Sequence, residues 1–397
     1  MFLSFVGFSA SQFHGYLFQR LGYSPFHIGV LLFAGYGAGL LAPLFQVKAI
    51  RWLRGPRFPL IWMLAGAGLG LSLLPHLPAF PVLALVFFLS LFCTMSIHPL
   101  TTATVLEVTR TRGDGMFFLI RTLGTIGFLA GCLVSFFLPD PAFLPRLYLG
   151  FGLAFLLSCL AAVFGLNPSD PSQAPEDVRV VRKPKRVPGF RRALRLLSAP
   201  RPRRLLLSLG CMSFANSMST LVQGNYLVTR FEGGQASISL AWIIATTAEI
   251  PLMLFCVHLV RRSGLRGVIG FGLLGTAVKL VLLGVAETRW VFFLGLTAHG
   301  CFFSGALVGF NLYLDRYFHV ADRPVLQALG ALFFQGLPAA IGGLCAGLLW
   351  HFLGIRSVYW FAASVASATA LYAVFWLPRF PGKRLVILPR NPDRRDL

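Results

Sequence analysis

Twelve apolar runs, each about 17–25 residues long, succeed one another along this chain, with polar connections between them. They cover residues 2–19, 25–45, 58–75, 79–100, 117–138, 143–166, 204–228, 235–260, 267–286, 289–312, 325–352 and 357–377. A helix rises about 1.5 Å per residue, so each run is long enough to cross a hydrocarbon core about 30 Å thick. The pattern predicts an all-α integral membrane protein of twelve transmembrane helices. Glycines punctuate several runs, as in Gly35-Tyr-Gly37-Ala-Gly39 and Gly66-Ala-Gly68-Leu-Gly70. Within apolar helices small residues allow close approach, so these stretches predict packing surfaces, not phosphate loops. The first run begins beside Met1 and leads directly into the second, which predicts a helix and not a cleaved leader.

The polar connections carry a strong bias. Of the 35 Lys and Arg residues, 28 lie in the even-numbered connections and after the last run, while the odd-numbered connections hold Arg20, Arg146, Arg230, Arg289 and Arg356. Basic residues gather on the cytoplasmic side of membrane proteins. The split therefore predicts a protein of the inner membrane with both termini in the cytoplasm. It also accounts for the net charge of +22 without a nucleic-acid partner. The longest connection, 167–203, is rich in Pro and Ser and then strongly basic. It predicts a linker between a six-helix bundle at 1–166 and a second at 204–377, with a cytoplasmic tail at 378–397. Within the linker, Gly189–Ser198 has the composition of a basic amphipathic helix lying on anionic lipid of the inner leaflet.

The two bundles carry traces of one another. Tyr16-Leu-Phe-Gln-Arg20 realigns with Tyr226-Leu-Val-Thr-Arg230 at an offset of 210, and Arg51 with Arg261 at the same offset. Arg121-Thr-Leu-Gly124 resembles Gln327-Ala-Leu-Gly330. These matches predict two six-helix pseudo-repeats, a plan in which a site lies near the midplane between halves that rock.

Four ionisable residues fall well inside the runs: Arg121, Glu249, Lys279 and His299. Charge at that depth is costly and marks function unless a structural partner absorbs it. A carboxylate there can alternate between a protonated form and a paired, ionised form. If its pairing differs between two conformations, proton binding biases the equilibrium between them. Arg121 would be a fixed countercharge or anion clamp, Lys279 would offset Glu249 from the adjacent helix, and His299 would relay protons or bind solute. Each has a plainer reading too: a structural ion pair for Glu249, packing for His299, and a stem that reaches the interface for Lys279. Gln12, His14 and Tyr16 on the first run, Asn216, Asn225 and Tyr226 on the seventh, and Trp242 on the eighth are polar positions able to line a cavity.

On these residues the chain resembles the major facilitator superfamily, in the branch of lactose permease-like, nucleoside–proton and phenylpropionate-type symporters. The resemblance rests on YLFQRLGYSPFHIG (16–29), Ala42-Pro43, Arg121-Thr-Leu-Gly-Thr-Ile-Gly-Phe128, Trp242 with Ala248-Glu249-Ile250, Ala298-His299-Gly300 and Gln327-Ala328. It implies that Arg121 and Glu249 contact solute and that His299 belongs to a proton-coupling network. Departures are visible. Gln46 and Ile50 stand where the family carries Gly and Asp, Thr101–Ala103 replace a carboxylate with Glu107 only a later candidate, and Phe302 stands where lactose permease has an acid.

The resulting expectation is a secondary transporter, not an enzyme, moving a small polar or aromatic solute such as a sugar, nucleoside or aromatic acid with protons. A carrier without proton coupling is the alternative within transport. A membrane transferase or a non-transporting scaffold is the rival outside it. Thirteen acidic residues and no His cluster leave little for membrane-face catalysis. No P-loop is present, and seven single cysteines without a C-x-x-C offer no metal site, so no cofactor is expected. Each pair of halves is expected to work as a monomer.

Overall fold

A computed structural model of the chain describes residues 1–53, 57–109, 114–165, 198, 200–317, 330 and 332–376. Among these residues there is no strand, and helices stand at all twelve expected places. In chain order, α1 comprises Phe2–Phe8 and His14–Arg20, joined by a 3₁₀ turn at Ser9–Phe13. Next come α2 (Pro25–Trp52), α3 (Arg57–Leu73), α4 (Phe80–Thr109), α5 (Asp114–Phe137) and α6 (Leu144–Gly165). In the second half α7 comprises Pro200–Leu221 and Gln223–Phe231, bent by 49°. There follow α8 (Gln235–Val260) and α9 (Arg262–Val285). The last three are α10 (Arg289–Leu296, Cys301–Leu307, Val308–Tyr317), α11 (Leu332–Gly336 and Leu337–Leu353) and α12 (Ile355–Trp376).

Nine of the described helices are long and apolar enough to cross a membrane unaided, and the bent α7 would be a tenth. The α2 and α4 helices run past their expected ends, to Trp52 and Thr109. Hydropathy marks where the bilayer stops, whereas helical hydrogen bonding continues into the polar zone. Pro200–Arg203, expected in the linker, form the first turn of α7, where a proline is well tolerated. The rest of the linker, apart from Ser198, and the tail lie outside the described residues. The expected connection after α8 shrinks to a kink at Gly264, in the first turn of α9, where a φ of 67° suits glycine.

Lipid-facing surface surrounds the bundle. Leu149, Leu153, Leu157 and Leu160 stand exposed along α6, and the large aromatics Trp62, Phe164, Trp290 and Phe352 are exposed near helix ends. Inside, α2 and α11 approach backbone to backbone. A Cβ built on Gly347 would lie 2.4 Å from the Gly29 Cα, and one built on Gly39 would lie 2.9 Å from the Gly336 Cα. Contact this close along two helices depends on small residues.

The repeat read from the sequence is present in the geometry. The α1 break at Ser9–Phe13 and the α7 break at Val222 are equivalent at an offset of 210. Arg57 Nη2 on α3 donates to the Val163 carbonyl at the end of α6, at 2.7 Å. Arg266 Nη2 on α9 donates to the Val374 carbonyl at the end of α12, at 3.2 Å. Each arginine answers carbonyls that a helix C-terminus leaves without partners. Four hydrogen bonds between described residues join the halves near Arg20 and Arg230. Asn225 Nδ2 donates to the Gly15 carbonyl and to Gln19 Oε1, both at 2.9 Å. Gln19 Nε2 donates to Thr229 Oγ1 at 3.4 Å, and Gln235 Nε2 donates to the Leu138 carbonyl.

Candidate functional site

The site is built around an irregular stretch of α10. After Leu296 the chain tightens: His299 N donates to the Leu296 carbonyl at 2.9 Å, and Cys301 N to the Ala298 carbonyl at 3.1 Å. It then widens into a π-helix over Cys301–Leu307. Tight and wide turns in succession alter the direction of the side chains at their junction, and such irregularities recur at functional sites. His299 sits at that junction, 5% exposed.

Its imidazole Nδ1 lies 3.1 Å from Lys279 Nζ on α9, and Lys279 Nζ donates to Asn216 Oδ1 on α7 at 2.8 Å. Lys279 is 0% exposed. Its ammonium is therefore enclosed by an amide and an imidazole and does not reach the interface. Nor does it pair with Glu249, as the sequence had suggested. The long stem turns toward α7 and α10, where two uncharged polar groups satisfy it. Trp242 on α8 meets the His299 ring edge to face at 5.3 Å, and its other neighbour is Phe128 of α5 at 5.8 Å. A chain of contacts thus runs from Lys279 through His299 and Trp242 to the opposite half. Trp242 Nε1 is buried without a hydrogen-bond acceptor among the described residues.

Glu249 is half-buried two turns beyond Trp242. It lies against α10 at the residue next to His299: a Cβ built on Gly300 would fall 2.8 Å from the Glu249 Cα and 3.1 Å from its Cβ and Cγ. Glycine at 300 is what lets the carboxylate-bearing turn pack beside the histidine. Arg121 lies on α5, and its side chain, like that of Glu107, falls outside the described residues.

The other expected positions divide. Gln12 occupies the α1 break, whose backbone packs on Gly224 beside the α7 break. Asn225 is spent on the joint with α1. Tyr226 is fully buried among Phe292, at 5.3 Å, and Tyr359, at 4.2 Å, and acts as packing instead of a cavity wall. His14 belongs to a separate cluster in the first half, its Nδ1 2.9 Å from the Tyr148 hydroxyl and its ring against Phe87. Tyr16 is buried one turn from Arg20. Among the described residues no group of three His, Cys, Asp or Glu is placed to hold a metal.

The model of the MFS_1 like family matches residues 1–361. The chain belongs to that family, within the major facilitator superfamily. Maltose permease of Geobacillus stearothermophilus is 25% identical over 268 residues, covering 67% of this chain and 64% of the permease. Solved structures of superfamily members superpose over nearly the whole chain. The nucleoside transporter NupG gives a TM-score of 0.76 at 15% identity, covering 94% of this chain and 96% of that one. A D-xylose-proton symporter gives 0.72 at 14% identity, covering 97% of each chain. The xylose transporter XylE from E. coli gives 0.69 at 12%, covering 95% and 96%. At these identities the likeness carries the fold.

Within this major facilitator superfamily fold, two contributors escaped the sequence reading. Gln223, 1% exposed at the α7 break, leaves its Nε2 without an acceptor among the described residues. Phe128 carries the Trp242 contact across the halves. A polar residue 211 positions after Gln12 in a chain with an offset of 210 is the signal that could have found Gln223.

Proposed function

We propose that this protein is a secondary transporter that moves a small polar organic solute of the sugar or nucleoside type together with protons. The observation that carries the reading is the Asn216–Lys279–His299 cluster, buried in an apolar bundle and linked through Trp242 to the other half. A buried cation beside a titratable ring is expensive to maintain, and proton coupling gives it a purpose. Glu249, beside Gly300, and Arg121, on the facing helix α5, complete the proposed set. The maltose, nucleoside and xylose proteins similar to this chain support the solute class. Trp242, with a ring face and an unpartnered N–H, suits a solute with both an apolar face and hydroxyl groups. We place both termini and the basic linker in the cytoplasm, the linker against anionic lipid, on the distribution of Lys and Arg. The working unit is a monomer in the inner membrane.

The test is thermal stabilisation of the purified protein by maltose, xylose, uridine and aromatic acids at acid and neutral pH. A solute that binds the folded state raises its apparent stability. A response that depends on pH and disappears in Glu249→Gln supports symport; an equal response at both pH values favours an uncoupled carrier. Arg121→Lys should weaken binding although the charge is kept, because the planar fork is lost.

A further inference from the structure

We propose that the transported proton resides on the Lys279–His299 pair, with His299 as its exit. The inference deepens the symport reading and rests on it. With Lys279 protonated, the contacts set the roles. Asn216 Oδ1 is an acceptor, so the 2.8 Å contact takes a proton from Lys279 Nζ. The 3.1 Å contact to His299 Nδ1 takes a second, which leaves the imidazole proton on Nε2. In this loaded form the pair carries one positive charge.

Unloading follows from the same contacts. Nζ gives a proton to Nδ1, and the imidazole releases the proton on Nε2 to water. Lysine is then a neutral amine that still donates to Asn216 and accepts from Nδ1–H. One proton leaves, the charge falls from plus one to zero, and the ring has exchanged tautomers. Both hydrogen bonds of Nζ survive, the one to Asn216 unchanged and the one to His299 with reversed polarity.

The surroundings suit a switch of this kind. The α7 helix offers Asn216, and α10 offers His299 itself and Cys301, whose Sγ lies against Gly275, one turn from Lys279 on α9. The α8 helix offers Glu249, held beside Gly300, and Cys256; α12 offers Tyr359, beside Gly284 further along α9. Of these, the carboxylate of Glu249 is the group able to feel the charge and to form or lose a partnership when it changes. The imidazole edge meets Trp242, which meets Phe128 on α5. The site of protonation is therefore two ring contacts from the interface that must move in alternating access.

Two measurements test this. The chain has five lysines, of which Lys48 lies near the end of α2 and Lys183, Lys185 and Lys383 lie in the linker and the tail. In protein labelled with ¹⁵N at lysine and histidine, the Nζ signal lost in Lys279→Gln identifies Lys279. It should change from ammonium to amine in the same pH step in which His299 changes tautomer. An ammonium that persists while His299 titrates alone overturns the proposal, whether or not any solute is transported. The second measurement uses proteoliposomes with maltose, xylose and uridine as probes. A one-unit pH gradient supports roughly tenfold accumulation at one proton per solute. Lys279→Arg keeps a cation that cannot release its proton, so whatever its rate of exchange the accumulation it reaches should fall to about one-fold. Wild-type accumulation in Lys279→Arg overturns the proposal, since only a fixed charge would then be required. Absence of exchange of every probe by the native protein counts against the symport reading, and the lysine signal then decides this one separately.

Discussion

Gln19 and Thr229 stand 210 positions apart and share a hydrogen bond, the same interval at which the two halves of the sequence realign. Asn225 and Gly15 repeat the relationship one turn deeper. Residues equivalent under a two-fold axis meet one another only on that axis. The pseudo-symmetry axis of the bundle therefore passes between α1 and α7 at the end that bears Arg20 and Arg230. Repacking this joint is what opening that end requires.

Asn225 makes two of the bonds in the joint, so Asn225→Ala should favour opening. The loss of two buried hydrogen bonds costs about 1–3 kcal/mol. In a Leu21→Cys background, which leaves both Asn225 bonds in place, labelling by a membrane-impermeant maleimide should become at least several-fold faster when Asn225 is replaced. Unchanged labelling would place the seal elsewhere.

The α2–α11 contact predicts a sharp contrast between glycines. A methyl group on Gly347 would enter the backbone of Gly29, whereas one on Gly37 meets nothing within 4 Å. Gly347→Ala should lower stability by about 1–3 kcal/mol through overpacking. Gly37→Ala should be neutral or slightly stabilising. Melting temperatures of the two variants in the same detergent make the comparison.

Glu287 bridges two arginines outside the membrane, Arg356 at 2.5 Å and Arg230 at 2.8 Å. The hydrogen bond and charge of Arg356, followed by the charge of Arg230, hold its carboxyl below the usual value of 4.5. A lowered carboxylate stabilises the fold above its unfolded pKa and ceases to do so as pH falls through the folded one. The clamp should therefore persist at pH 4.5 and fade below it. The difference in melting temperature between the native protein and Glu287→Gln should shrink as pH falls below 4.5. Because the group is exposed, the difference should be small and should shrink with salt.

The paired arginine caps should behave alike. Arg57→Ala and Arg266→Ala each leave a terminal carbonyl, of Val163 or Val374, without its donor. Each should cost about 0.3–1 kcal/mol, and the double variant should show the sum, since the sites lie in different halves. A clear departure from additivity in chemical denaturation would mean that the two halves communicate through these ends.

Much of this architecture is written in hydrophobicity, because a bilayer imposes a length on every helix that crosses it. The order of helices along the chain and the 210-residue repeat followed directly. Helix irregularity did not. Nothing in the residues Cys301–Leu307 marks a π-helix, although in the structure that stretch packs closely on Gly272 and Gly275 of α9. The partners of Lys279 are not legible in the sequence either. Sequence distance suggested Glu249 on the neighbouring helix, but a lysine stem can turn to either side, and only tertiary packing decides which. Asn216 and His299, three helices apart in the chain, converge on it through the bundle.

The wide turn in α10 has one more implication, which concerns chain length. A π-helical segment holds its residues at more than 3.6 per turn, so it amounts to one residue beyond what an α-helix over the same rise would contain. Deleting a single residue between Cys301 and Leu307 should restore regular winding. Because the wide turn absorbs the extra residue, the helix before the deletion and the helix after it would keep their relative orientation. His299 would still face Lys279 and Phe310 would stay in place, while the residues inside the bulge would change direction. The register between a histidine and its lysine thus tolerates an insertion that changes no chemical group at all.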